Sequence, residues 1–264
     1  TLYVKRPSQR MQIREEQIHL QVNGQDRKTI AIQVEDITNL QDHDLVFLAV
    51  KQPQLESLLP YLQQLQEKTT VVFLQNGMAH LAYASSLENR VLLGVVEHGA
   101  SRINDVTVNH LGQGKIVLGS LKNEDAFLQE LVTKINQADF PFEYRPDVEF
   151  VLKEKLLVNA VINPLTALFN VPNGAIIKND NLKILAQHIC DEVATVLALD
   201  KQKSWDKVVA IANNTKNNTS SMRADILLNR STEIEAIIGY ILAESKEALP
   251  YTKFVYHSIL AKSN

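Results

Sequence analysis

The sequence predicts an α/β protein in which a sheet domain of parallel strands is followed by an all-helical domain. Three observations predict it. DLVFLAV, TTVVFLQNG and RVLLGVVEH are largely continuous apolar runs, the pattern of strands buried on both faces. Helical patterns, LESLLPYLQQL and AHLAYASSL, lie between them, and alternation of strands with helices is the signature of a parallel sheet. From Asp147 onward the strand signals stop. The domain boundary therefore falls there, giving 1–146 as the sheet domain and 147–264 as the helical domain.

The elements follow in order. Thr1 to Val4 alternate as a strand does, and QIHLQV and TIAIQV alternate with period two around Asn23-Gly24, a hairpin signal with a loop expected to exceed the two-residue minimum. After the three parallel-type strands, VTVNHLGQGKIVLG reads as an added hairpin, NEDAFLQELVTKINQA as an amphipathic helix and FEYRP as a short strand. The C-terminal part opens with a strongly apolar helix containing EKLLVNAVINPLTALF. A helix around Leu182 to Leu197, the polar loop NNTKNNTSS, the helices SMRADILLN and TEIEAIIGYILAESKEAL and a last helix after Pro250 complete it.

Composition narrows the function. Among 264 residues, 27 Lys and Arg stand against 30 Asp and Glu, a net charge of −3. A nucleic-acid binder needs clustered positive charge in excess, so a small-molecule partner is expected and no nucleic acid. The single Cys190 permits neither an intrachain disulfide nor a Cys-based zinc cage, which fits a reducing compartment such as the cytoplasm. The seven histidines show no metal-ligand spacing, so no metal is expected. No apolar run reaches membrane-spanning length, because Lys155, Asn159, Asn163 and Pro164 interrupt the best candidate.

In open parallel sheets, ligands bind beyond the carboxyl ends of the strands. Lys51, Asn76-Gly77 and Gly99-Ala100 follow the three strands there. The opening strand ends in Lys5-Arg6, where a dinucleotide fold carries an acid for NAD or a basic group for the 2′-phosphate of NADP; NADP is favoured. The G-x-G-x-x-G phosphate loop should lie about 20 residues before that acidic or basic position. It is expected upstream of Thr1, together with a first strand and helix, since GQG at Gly112 to Gly114 opens no helix.

The apolar helix after Asp147 poses its own question. Lys155, Asn159 and Asn163 are spaced by four, so they form one polar stripe on a helix that otherwise reads as buried all round. Such groups must be paired with something, either a structural network or a ligand. The Asn218, Ser220 and Ser221 stretch opens a helix, where hydroxyls suit a carboxylate and where a serine also suits an N-cap. Thr232 and Glu235 have capping-box spacing, which would leave Glu233 free.

LQNGM at Leu74 to Met78, KLLVNAVINPLTALFNVPNG at Lys155 to Gly174 and NTSSMRADILLNRSTEIEAIIGY at Asn218 to Tyr240 resemble the signature segments of the ketopantoate reductase (2-dehydropantoate 2-reductase) family. The resemblance implies a Rossmann-type sheet domain followed by a helical one. It also implies NADPH-dependent reduction of ketopantoate to pantoate on the route to pantothenate and coenzyme A. Lys155 is then the general acid, with its pKa expected to be lowered by desolvation, and Glu233 lies at the cofactor and active site. Asn76, Lys155, Asn159, Asn163, Asn173, Asn218, Ser220 and Ser221 are the substrate set, and Arg6, Lys51, Asn76, Ala100 and Glu233 the cofactor set. A homodimer is compatible with this reading. The alternatives are a related NADP-dependent reductase of another 2-keto acid and a noncatalytic NADP-binding protein.

Overall fold

The computed structural model describes residues 1–120 and 126–262. Contacts divide the chain into two compact units: Thr1–Val50, Gln54–Leu74 and Tyr83–Val148 form the first, and Lys51–Pro53, Gln75–Ala82 and Glu149–Asn264 the second.

The first unit begins with β1 (Leu2–Val4), α1 (Pro7–Glu16), β2 (Ile18–Val22), β3 (Gln25–Ile30) and β4 (Val34–Asp36). β1 pairs in parallel with β4, and Val4, Val34 and Ile13 of α1 form their core with Val106. The β2–β3 hairpin closes over Asn23-Gly24 with two residues, shorter than the sequence suggests: Val22 pairs with Gln25. Both turn residues have positive φ, 51° and 80°, the conformation that matches strand twist in a two-residue hairpin. TIAIQV is not one strand. It leaves the hairpin after Ile30 and re-enters as β4, because Val34–Asp36 pairs with β1 instead.

Next come β5 (Leu45–Leu48), the one-turn α2 (Leu59–Leu62), β6 (Thr70–Phe73), α3 (Leu81–Ser86) and β7 (Arg90–Val96). The predicted LESLLPYLQQL helix is broken into a 3₁₀ turn and α2, with Pro60 in the first turn of α2, where the missing N–H is harmless. β8 (Gly99–Arg102), β9 (Thr107–Gly112), β10 (Ile116–Gly119), α4 (Ala126–Ile135) and β11 (Phe142–Tyr144) complete the unit. The expected beginning of the α4 helix, from Asn123 to Asp125, lies outside the described residues.

A five-stranded sheet has the order β11-β10-β7-β6-β5, with β5, β6 and β7 parallel as predicted. The expected hairpin over GQG does not form. β9 joins β8 and β2 in a separate four-stranded sheet, whereas β10 runs antiparallel to β7. The burial explains the parting: IVLG of β10 is buried throughout, while TVNHLG of β9 is half-buried or exposed. Leu128 and Val132 of α4 cover Val72, Leu92, Ile116 and Leu118 of the larger sheet.

The second unit is built on α5 (Val148–Phe169), with Leu156, Leu157, Val161 and Leu165 fully buried. The helix continues through Pro164, and Asn170 ends it in the left-handed conformation (φ 52°), placing the Val171 N–H on the Thr166 carbonyl. α6 (Ala175–Lys178), α7 (Asp180–Val196) and α8 (Lys201–Asn214) follow, α7 packing against α8 and α11 (Pro250–Lys262). α8 has no counterpart in the sequence reading. Its start is set by Asp200, whose side chain caps the Lys203 N–H. α9 (Ser221–Leu227), a π-helical turn at Glu235–Gly239 and α10 (Tyr240–Glu244) complete the unit. Among the described residues no helix is long and apolar enough to cross a membrane.

Candidate functional site

Most of the residues singled out from the sequence fall within the second unit, including those that follow β5 and β6: Lys51 and Asn76 belong to its short segments. Lys155, Asn159 and Asn163 lie one turn apart on α5 as expected. Lys155 and Asn159 are half-buried and Asn163 is buried. The Asn163 amide lies 3.5 Å from the Ser221 hydroxyl, at the long limit of hydrogen bonding.

The two serines that open α9 separate cleanly. Ser220 is the N-cap: its hydroxyl accepts the Arg223 N–H at 3.2 Å and bonds the Thr166 hydroxyl at 2.7 Å. Ser221 is the first helical residue, exposed and not engaged in the cap. Its hydroxyl is therefore the one the cap leaves exposed. The Arg223 guanidinium reaches the Asn170 side chain at 2.9 Å and fastens α9 to the end of α5.

Asn173 and Asn218 fasten the Asn-rich loop. The Asn173 N–H donates to the Asn218 carbonyl at 3.1 Å and its amide to Thr215 at 3.0 Å, while its Oδ1 is buried with no hydrogen-bond partner among the described residues. A buried acceptor in that state is uncommon in folded proteins.

Glu233 accepts the Asn76 amide at 2.9 Å. The approach depends on Gly77, whose φ is +80° and on which a Cβ would stand 2.0 Å from the Ala236 carbonyl oxygen; only glycine allows both. The predicted capping box does not form. No side chain caps the turn, and Glu235 instead accepts the Tyr256 hydroxyl at 2.8 Å, a bond that raises the Tyr256 pKa. The helix enters through a π-turn, a distortion often found at functional sites. Lys51 donates to Asp225 at 2.9 Å and to the Ser231 carbonyl at 2.8 Å. Sequence reasoning missed Asp225, although its place one turn after Ser221 was the available signal.

Arg6 and Ala100 belong to the first unit. Arg6 precedes α1 and pairs with Asp105 at 2.5 Å. Ala100 lies within β8 opposite His110; it is not the end of a buried strand, because β7 stops at Val96. His98 joins His110 and stacks on Phe140 with ring centroids 4.2 Å apart, and desolvation lowers its pKa. Cys190 is buried and its thiol is pushed up to about 12 by desolvation, as a packed apolar residue should be. Among the described residues no cluster of His, Cys, Asp or Glu could hold a metal.

A 2′-phosphorylated dinucleotide fits the groups after β1. Lys5 and Arg6 are exposed there. The carboxylate in register with Val4, Asp36, is engaged by Thr38 and Arg10; the Thr38 bonds and the Arg10 charge hold its pKa low. A cationic turn whose neighbouring acid is already paired suits a phosphate better than a ribose hydroxyl. In the second unit, an ammonium, amides and an exposed hydroxyl on α5 and α9 can receive a small oxyanion and supply it with a proton.

The chain matches known proteins along nearly its whole length. Residues 1–123 match the family model described as Ketopantoate reductase PanE/ApbA and residues 147–263 the model of its C-terminal part. A Bacillus subtilis protein named 2-dehydropantoate 2-reductase is 35% identical over 99% of this chain and 89% of its own length. A Listeria monocytogenes protein of the same name is 38% identical over 98% of this chain and 87% of its own. The crystal structure of PanE from Bacillus subtilis superposes with a TM-score of 0.87 at 34% identity, covering 98% of this chain and 91% of that one. D-mandelate dehydrogenase in complex with NADH and anilino(oxo)acetate shares the fold, with a TM-score of 0.91 at 23% identity over 99% of this chain and 90% of that one.

Proposed function

The chain belongs to the ketopantoate reductase family, and from that premise we propose that it reduces ketopantoate to pantoate with NADPH, on the route to pantothenate and coenzyme A. The observation that carries the reading is the polar stripe of α5, Lys155, Asn159 and Asn163, whose last member lies beside the exposed hydroxyl of Ser221. Ser220 serves the helix cap and Thr166, whereas Ser221 stands outside the cap beside the Asn163 amide.

NADPH, when bound, supplies the hydride. Reduction of the ketone leaves an alkoxide, and the Lys155 ammonium stabilises that charge and donates the proton to the oxygen. The Ser221 hydroxyl donates to the substrate carboxylate and is steadied by the Asn163 amide. Asn159 donates to the substrate's oxygen atoms, and the buried Asn173 Oδ1 is the acceptor for its hydroxyl proton. Asn76, held by Glu233, and Lys51 serve the nicotinamide end, while Arg6 takes the 2′-phosphate by exchanging Asp105 for it. On this reading 1–146 is the cofactor domain and 147–264 the substrate domain.

The test is NADPH oxidation followed by absorbance with ketopantoate beside other 2-keto acids. Turnover with a kcat/KM highest for ketopantoate is expected. Preference for another 2-keto acid would reassign the substrate, and absence of turnover with all of them would overturn the enzyme reading.

A further inference from the structure

Asp225 lies one turn beyond Ser221 on the same face of α9, and its carboxylate binds the Lys51 ammonium at 2.9 Å. The same ammonium donates to the Ser231 carbonyl at 2.8 Å, two residues before Glu233. Lys51 therefore bridges the helix that begins with Ser221 and the turn that delivers Glu233. Between Leu227 and Ile234 that turn is not helical; it reverses at Asn229 (φ 49°), and its backbone is tied by the Arg230 N–H on the Asp225 carbonyl. Asp225 thus anchors the turn twice, through its own carbonyl and through its carboxylate by way of Lys51.

We propose that Asp225 is a positioning residue for the reaction: by orienting the Lys51 ammonium it sets the spacing between the Ser221 hydroxyl and the Glu233–Asn76 pair. The proposal rests on the ketopantoate reductase reading. Stability alone gives a weak reason for the pair, because the Lys51 side chain is 41% exposed and ion pairs so open contribute little to folding. Geometry gives a stronger one. Lysine is a point charge on a flexible stem, and a carboxylate with 15% side-chain exposure holds it in one place.

The test compares Asp225→Asn, Asp225→Glu, Lys51→Ala and the Lys51→Ala/Asp225→Asn double variant by steady-state kinetics and thermal unfolding. Lys51 reactivity toward reductive dimethylation, read by mass spectrometry, is measured in the unsubstituted protein and the Asp225 variants. Asp225→Asn should raise the KM for the keto acid about tenfold, an effect of one ion-paired contact, with a smaller fall in kcat and an unfolding temperature within a few degrees of the parent. Asp225→Glu should recover part of the loss, the double variant should be no worse than Lys51→Ala, and Lys51 should label faster in Asp225→Asn. Parental kinetics in Asp225→Asn overturn the proposal, as do losses that multiply in the double variant or an unchanged labelling rate. An unsubstituted protein that turns over no 2-keto acid overturns the functional reading and the positioning role with it. Labelling, which needs no turnover, tells that failure from an absent Lys51–Asp225 pair.

Discussion

The Ser220 hydroxyl lies 2.7 Å from the Thr166 hydroxyl and caps the Arg223 N–H, so the two adjacent serines carry different work. Ser220→Ala should cost about 1–2 kcal/mol of stability, since it removes a helix cap and its bond to Thr166. Ser221→Ala should leave unfolding almost unchanged and raise the KM for ketopantoate more than it alters NADPH affinity. Thermal unfolding beside substrate saturation curves distinguishes them; a destabilised Ser221→Ala with parental KM would make Ser221 a structural residue.

Lys155→Ala removes both the proton donor and the positive charge at the developing alkoxide, and kcat should fall by roughly 10² or more. Asn159→Ala and Asn163→Ala should act mainly through KM. If Lys155→Ala unfolds earlier yet turns over normally, the stripe is a packing network and not a catalytic one.

Arg6→Ala should weaken NADPH binding far more than NADH binding, because only NADPH carries the 2′-phosphate. Titrating both cofactors by fluorescence checks this, and an equal loss for the two would remove Arg6 from the phosphate site.

Gly77→Ala meets two penalties at once, a φ of +80° and a Cβ 2.0 Å from the Ala236 carbonyl oxygen. A destabilisation of about 1–3 kcal/mol is expected from the strained conformation alone, and the shift should part Asn76 from Glu233. A chemical denaturation midpoint equal to the parent's would show that the turn adapts freely.

His80 is fully buried, and burial pushes its imidazole down to about 4. The unfolded chain binds that proton near pH 6.5 and the folded one only near 4, so stability is complete above the upper value and drains away as pH falls between them. The loss is on the order of 3 kcal/mol over that window. Denaturation midpoints from pH 7 to 4, with His80→Gln as the comparison, should show a slope in the parent that flattens in the variant; parallel slopes would assign the acid sensitivity elsewhere.

By itself the sequence determined what depends on near neighbours. Asn23-Gly24 made the turn, the period-two and continuous apolar runs marked the strands, and Lys155, Asn159 and Asn163 on a 3.6-residue period defined the stripe. Tertiary structure decided what depends on residues far apart in the chain. VTVNHLG and KIVLG parted to different sheets because each strand met a partner its own pattern could not name. Ser220 became the cap and Ser221 stayed outside it, with Thr166 of another helix beside the first. Lys51 found Asp225 at a separation of 174 residues, and Asn76 found Glu233 at 157. Local periodicity carries no record of such pairs. They are fixed by the packing that brings a glycine without a Cβ against the Ala236 backbone and a strand-end lysine against a helix face, and packing is a property of the whole chain.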